Sequence, residues 1–300
     1  MLIETRGLCK SFGSHKAVDD LSFTVKPGVV TGFLGPNGSG KSTTLRLMLG
    51  LDLGEGQTLF DGKPLKSYSR VSKVVGTHLD AKLFHPQRTA RAHLRMLAAE
   101  SGISNKRVDE LIEFIGLSDV AKKRPKGFSL GMGQRLGLAG ALLADPEVLF
   151  LDEPANGLDP ATIHWLRDFL KSYAARGRSV LVSSHLLSEM ELMADELIVI
   201  AKGRLITQES IQEFINRSSR NEVIVRTTNN ARLAFVLHEK GIPATNQGDF
   251  VSVASADTDT VGHIAFESDL RVLELRIQRA SLEQAFLDAT RGQQEFETGV

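Results

Sequence analysis

Eight consecutive residues, Gly35-Pro36-Asn37-Gly38-Ser39-Gly40-Lys41-Ser42, leave this chain few folds to choose from. They fit the pattern G-x-x-x-x-G-K-[ST]. They stand between an apolar run at 29–34, which reads as a buried strand, and residues 42–49, which read as a helix. Glycines let the backbone wrap closely enough for its N–H groups to face phosphate oxygens. The start of the helix adds orphan N–H groups and the positive end of its dipole. In such a loop Lys41 reaches the outer phosphates of a nucleotide, and the Ser42 hydroxyl is a magnesium ligand. A strand, phosphate loop and helix in that order predict an α/β fold of the P-loop NTPase kind. Residues 35–43, from Gly35 to Thr43, are the expected nucleotide-binding segment.

The rest of the chain narrows the class. Three hundred residues allow one large domain plus a smaller one. The 36 basic and 36 acidic side chains balance, so no global charge advertises nucleic acid or an anionic membrane as partner, and no nucleic acid is expected. Cys9 is the single cysteine and has no internal partner, which fits a reducing compartment. The N-terminus lacks a basic-then-apolar signal pattern. No apolar run approaches the ~18–20 residues that span a bilayer. Any membrane role is therefore expected to come through a partner, with this chain on the cytoplasmic side.

In chain order, residues 3–9 and 21–25 have strand composition, and Phe12-Gly13 and Val18 lie between them. Phe12 is either core or a platform for a base beside Val18. Residues 57–60 followed by Asp61-Gly62 read as strand and tight turn, and 70–76 as a further short strand. From 82 to 143 apolar residues recur at helical spacing, as in Leu94, Leu97, Ala98 and Val108, Leu111, Ile112, Ile115, so a helical insertion is expected. Asn105-Lys106 opens a guanine-reading motif, but Val108 occupies its Asp position and that reading fails. The basic cluster of Lys122, Lys123, Arg124 and Lys126 reads as a solvated face.

A second group of motifs follows. Phe128-Ser129-Leu130-Gly131-Met132-Gly133-Gln134-Arg135 is a small-residue turn running into an apolar helix. Residues 148–151 are a buried strand that ends in Asp152 and Glu153. Acids at the carboxyl end of a parallel strand beside a phosphate loop fall in the crevice where such sheets bind ligands, which favours a site over a helix cap. Asn156-Gly157-Leu158-Asp159-Pro160 is a turn into a helix at 161–175. His185 follows a strand at 179–183, the same kind of position as the two acids. A hairpin at 197–207 turns at Lys202-Gly203. Beyond about 221 a small α+β domain is expected, with strands at 222–227, 250–254 and 271–278 and helices at 231–240, 259–267 and 282–290. The last strand alternates, with Leu273, Leu275 and Ile277 on one face, and Ser281 with Gln284 is a capping box.

Taken together, the first two-thirds of the chain resembles the ATP-binding subunit of an ABC transporter. The order of phosphate loop, helical insertion, signature, acidic strand, Asn-Gly-Leu-Asp turn and histidine carries that resemblance. The Ser-Leu-Gly-Met form of the signature is similar to that of bacterial drug- and bacteriocin-efflux subunits of the daunorubicin- and bacitracin-resistance kind. The resemblance implies an ATP-binding domain over 1–216, with a helical subdomain at about 82–143, and an accessory α+β domain over 221–300. It implies a head-to-tail homodimer with ATP and Mg2+ at the interface, working peripherally on the cytoplasmic face of a bacterial membrane beside a permease. Phe12 takes the adenine, Ser129 and Gly131 the γ-phosphate of the other copy, Asp152 magnesium through water, Glu153 the attacking water, and His185 the γ-phosphate. Asp80 replaces the family's usual glutamine, as a magnesium ligand or facing solvent. The alternative is a soluble ABC ATPase remodelling ribosomes or DNA. Such proteins carry two ATPase units or a long coiled coil, and this chain has neither. An ATP-binding module without turnover would require a crippled acid, whereas Glu153 is intact.

Overall fold

The computed structural model describes residues 1–80, 84–85, 87–218, 222–254, 256–278 and 281–290. Two compact units emerge, one built from Met1–Ile211 together with Thr290 and one from Gln212–Ala289.

In the first unit a six-stranded sheet carries the phosphate loop. Its order is β10-β9-β3-β8-β7-β6, formed by β3 (Val30–Leu34), β6 (Val75–His78), β7 (Val148–Asp152), β8 (Ser179–Ser183), β9 (Glu196–Ala201) and β10 (Arg204–Ser210). All pairings are parallel except the β9–β10 hairpin. Every residue of β3 and β8 is buried, as expected of strands covered on both faces. The carboxyl ends of β3, β8 and β7 are neighbours, so the segments that follow them meet.

A second, antiparallel sheet has the order β2-β1-β4-β5, from β1 (Ile3–Phe12), β2 (His15–Val25), β4 (Glu55–Phe60) and β5 (Lys63–Pro64). The first two strands are longer than their composition predicted and close a hairpin in which Phe12 pairs with His15. Helix α1 (Lys41–Met48) supplies Leu45, Leu47 and Met48 to a core shared by both sheets, with Ile3, Val18, Phe33, Phe60 and Phe150.

The strand expected at 70–76 is corrected. One turn of helix, α2 (Val71–Val74), precedes β6. The parallel ladder starts only at Val75 against Val148. Before Val148 the partner chain is still turning at Asp145, which has positive φ, so residues 70–74 have no ladder to join.

Three capped helices follow: α3 (Ala90–Glu100), α4 (Asn105–Phe114) and α5 (Leu130–Leu142), with the side chains of Thr89, Ser104 and Ser129 accepting N–H groups of their first turns. Leu94, Ala98, Val108, Leu111, Ile112 and Leu138 are buried. Helix α5 also lies against β6 at backbone distance. A Cβ on Gly76 would meet the Ala141 carbonyl, and one on Gly137 would run into the His78 ring. Asp159 caps α6 (Pro160–Ala175), whose first residue is proline, and α7 (Leu187–Met193) follows β8.

The second unit takes most of α8 (Ile211–Ser218), then β11 (Glu222–Thr227), α9 (Asn230–Glu239), β12 (Ala244–Asn246), β13 (Val251–Ala254), α10 (Thr258–Glu267), β14 (Val272–Gln278) and α11 (Leu282–Thr290). The antiparallel order β12-β13-β11-β14 with two helices is a β-α-β-β-α-β arrangement. Val223, Val225, Leu233, Leu237, Val251, Val253 and Val261 form its core. The three-residue β12 was too short to read from sequence. In β14 only Leu275 of the alternating face packs on this core, while Leu273 and Ile277 are exposed, because β14 is an edge strand. Ser281 accepts the Gln284 N–H, whereas the Gln284 side chain turns to Asp288, so the capping box forms on one side only.

Candidate functional site

The loop after β3 is shaped by glycines where no other residue fits. Gly40 caps α1 with φ +97°, and a Cβ there would strike the Ala17 carbonyl. Lys41 is buried, and its Nζ donates to the carbonyls of Gly35 (2.7 Å) and Pro36 (3.2 Å). Burial pushes its pKa below the ordinary lysine value, against the opposing pull of Glu153 and Asp152. Among the described residues the buried Ser39 Oγ has no hydrogen-bond partner. An ammonium held only by carbonyls, with a glycine-rich loop around it, suits a phosphate group.

Ser42 Oγ donates to Asp152 Oδ2 at 2.6 Å. The other carboxylate oxygen of Asp152 accepts from Ser183 Oγ. Ser183 also takes the Glu153 N–H on its Oγ (3.0 Å) and on its carbonyl (3.2 Å). The Glu153 backbone has φ +51°, a left-handed conformation that costs free energy for any residue but glycine. That bend turns the Glu153 carboxylate to His185, whose Nδ1 lies 2.6 Å and whose N–H lies 3.3 Å from Oε2. Gln134, from the signature helix, donates to the Glu153 carbonyl (3.0 Å) and also meets His78.

Phe12, His15 and Ala17, loop residues 37–43, and Asp152 with Glu153 line one open cleft of about 450 Å³. Phe12 is half exposed, with the Lys10 ammonium 5.0 Å from its ring centre, so it is not a core residue and its ring is open to the cleft. Val18 is corrected: it is fully buried in the core and has no surface to offer a base, and Ala17 lines the cleft in its place. Gly35 and Pro36 turn their carbonyls to Lys41 and do not line the cleft. Asp80 does not line it either. It borders a separate cavity of about 360 Å³ with His78 and His93, because β6 lies three strand spacings from β3, about 14 Å at ~4.8 Å each.

Ser129, at the start of α5, is exposed and accepts the Met132 N–H (3.2 Å). Gly131 is buried against the turn after Glu153, where a Cβ would stand 2.9 Å from the Gly157 carbonyl. Neither residue lines the cleft of its own chain.

Among the described residues no three His, Cys, Asp or Glu side chains converge as a metal cage. Ser42 and Asp152 are a hydroxyl and a carboxylate, hard oxygen donors of the kind magnesium takes alongside waters and phosphate oxygens, so the pair fits that ion. Sequence reasoning missed Ser183, Gln134 and His15. Ser183 was detectable in principle, since it stands opposite Asp152 in the β7–β8 register, but register is a tertiary fact.

Residues 18–156 match the family described as ABC transporter, and residues 221–283 match a domain of unknown function. The chain is similar to an uncharacterized ABC transporter ATP-binding protein, YhcH of Bacillus subtilis, at 37% identity over 96% of each chain. It is similar to the bacitracin transport ATP-binding protein BcrA of Bacillus licheniformis at 35% identity, over 95% of this chain and 96% of BcrA. Its fold is similar to the dimeric structure of MJ0796, a bacterial ABC transporter cassette, with a TM-score of 0.64 and 23% identity over 70% of this chain and 98% of that one. This chain belongs to the ABC transporter ATP-binding proteins and is an ATPase.

Proposed function

We propose that two copies of this chain close head to tail on ATP and hydrolyse it to drive a separate membrane permease that exports antimicrobial compounds. The bacitracin transport relative supports the class of cargo, and the dimeric cassette of like fold supports the pairing. No helix among the described residues is long and apolar enough to cross a membrane, in keeping with a permease on another chain and a working position at the cytoplasmic face of a bacterial membrane.

The single observation that carries the catalytic reading is the Glu153 carboxylate, bent to the cleft edge and held by His185. On binding, Lys41 exchanges its two loop carbonyls for β- and γ-phosphate oxygens, and Phe12 stacks on the adenine. Ser42 and Asp152 would hold magnesium, which when bound neutralises charge on the phosphates. Glu153 takes the proton of the water that attacks the γ-phosphorus, and His185 fixes the carboxylate and touches the γ-phosphate. Ser129 and Gly131, at a helix N-terminus, meet the γ-phosphate held by the other copy. Loss of that shared group reopens the dimer.

Glu153→Gln tests this. Turnover should fall at least ~100-fold, the usual worth of a general base, while ATP affinity by titration stays within about twofold. Lys41→Ala should instead weaken ATP binding itself. Turnover unchanged in Glu153→Gln would remove the assignment. The transport half is tested by co-purification from gently solubilised native membranes, where a multi-span protein in equal amount is expected.

A further inference from the structure

The alternating strand β14 is used by nothing in the nucleotide cleft. It forms one edge of the second unit's sheet, seven residues long, whereas the opposite edge, β12, has three. Edge strands present unpaired backbone groups, and proteins commonly blunt them with proline, lysine, bulges or brevity. β14 contains neither proline nor lysine, and its one register irregularity lies near its start, opposite Arg226–Thr227. Ile277 remains 51% exposed on the face of Leu275, which packs inward, and Leu273, 47% exposed, is the extra residue at the register irregularity.

Val272-Leu273-Glu274-Leu275-Arg276-Ile277-Gln278 is complementary to itself when reversed. Antiparallel pairing of two copies about a two-fold axis at Leu275 sets Leu275 against its counterpart. It also sets Glu274 against Arg276, twice, in the stretch that follows the irregularity at Leu273. Directly opposed residues are the pairs that stabilise a sheet, whether apolar or of opposite charge. A slip by one residue would oppose side chains from different faces, and a slip by two would set Glu274 against Glu274 or Arg276 against Arg276, so the charges fix the register. Glu274 already lies 3.0 Å from Arg276 of its own strand and 3.6 Å from Arg226, and the second copy extends that network.

We propose that β14 is a homodimer interface: two chains join edge to edge here into one continuous sheet, without nucleotide. The pairing is isologous and closes on itself, so without nucleotide it gives a dimer. Main-chain hydrogen bonds supply affinity, as in other strand-addition interfaces, and the Glu274–Arg276 crossing selects a second copy of this chain as the occupant.

The full-length chain carrying Lys41→Ala, free of nucleotide, is examined by sedimentation at micromolar concentration. A dimer is expected. Glu274→Arg or Arg276→Glu alone should each weaken it at least tenfold, by opposing like charges. The doubly reversed chain should dimerise again. Mixing the two single variants should also restore a dimer, since each then meets opposite charges on the other, and this arm guards against variants that merely misfold. A monomeric parent chain, single reversals that still dimerise, or a mixture that stays monomeric would each overturn the proposal. With no nucleotide present, none of these outcomes bears on the hydrolysis reading.

Discussion

Ser183 satisfies two neighbouring acids at once, the Asp152 side chain and the Glu153 backbone, and so holds the acidic strand end in one pose. The acids themselves were legible in the sequence, because a local run of apolar residues delivers them to a strand end. Ser183 and Gln134 were not, since their roles arise only when separate strands and a helix come into register. Val18 misled for the converse reason: proximity in sequence to Phe12 says nothing about which side of a strand faces the core. Buried histidines give a prediction at this scale. Burial pushes His78 and His93 below the ordinary histidine pKa; Gln134, Asp80 and Asp152 oppose this at His78, while Arg88 and His85 add to it at His93. The unfolded chain takes these protons near pH ~6.5, and the folded one resists. Their contribution is therefore complete above about 6.5 and is lost as pH falls from there through the folded-state values. The urea midpoint should drop between pH 7.5 and 5.5, and His93→Phe should show a smaller drop. Equal drops in both proteins would refute the assignment.

Helix periodicity made α3, α4 and α5 readable, since an apolar stripe repeats over several turns. The single turn of α2 and the three-residue β12 carry no periodic signal, and pairing alone decides them. The contact of α5 on β6 is also a matter of pairing, because it depends on two glycines meeting the opposite element. With the Ala141 carbonyl lying where a Cβ on Gly76 would stand, Gly76→Val should destabilise the chain by about 3 kcal/mol, the upper range of overpacking. Gly127→Ala, where a Cβ meets nothing within 4 Å, serves as control and should stay within about 0.5 kcal/mol. Urea denaturation of the two variants checks both values. A Gly76→Val chain as stable as the control would mean that helix and strand can part without cost.

Over the whole molecule, the division into an α/β unit and a smaller α+β unit followed from the sequence because each part carries its own apolar set, and the two cores are separate clusters. The edge position of β14 did not follow, since strand order is a property of the assembled sheet. One backbone angle in the larger unit bears on how such a chain is kept over generations. Glu153 sits at φ +51°, where asparagine is several-fold enriched and glutamate is not. Relief of that strain, about 1 kcal/mol or more, should raise the melting midpoint of Glu153→Asn by about 2–4 °C while turnover disappears. A midpoint unchanged or lowered would show the backbone to be at ease. If it rises, the most stable version of this protein is an inert one. Thermal screening of a mutant library would then enrich silent chains, and a copy freed from its duty would be expected to drift from glutamate early.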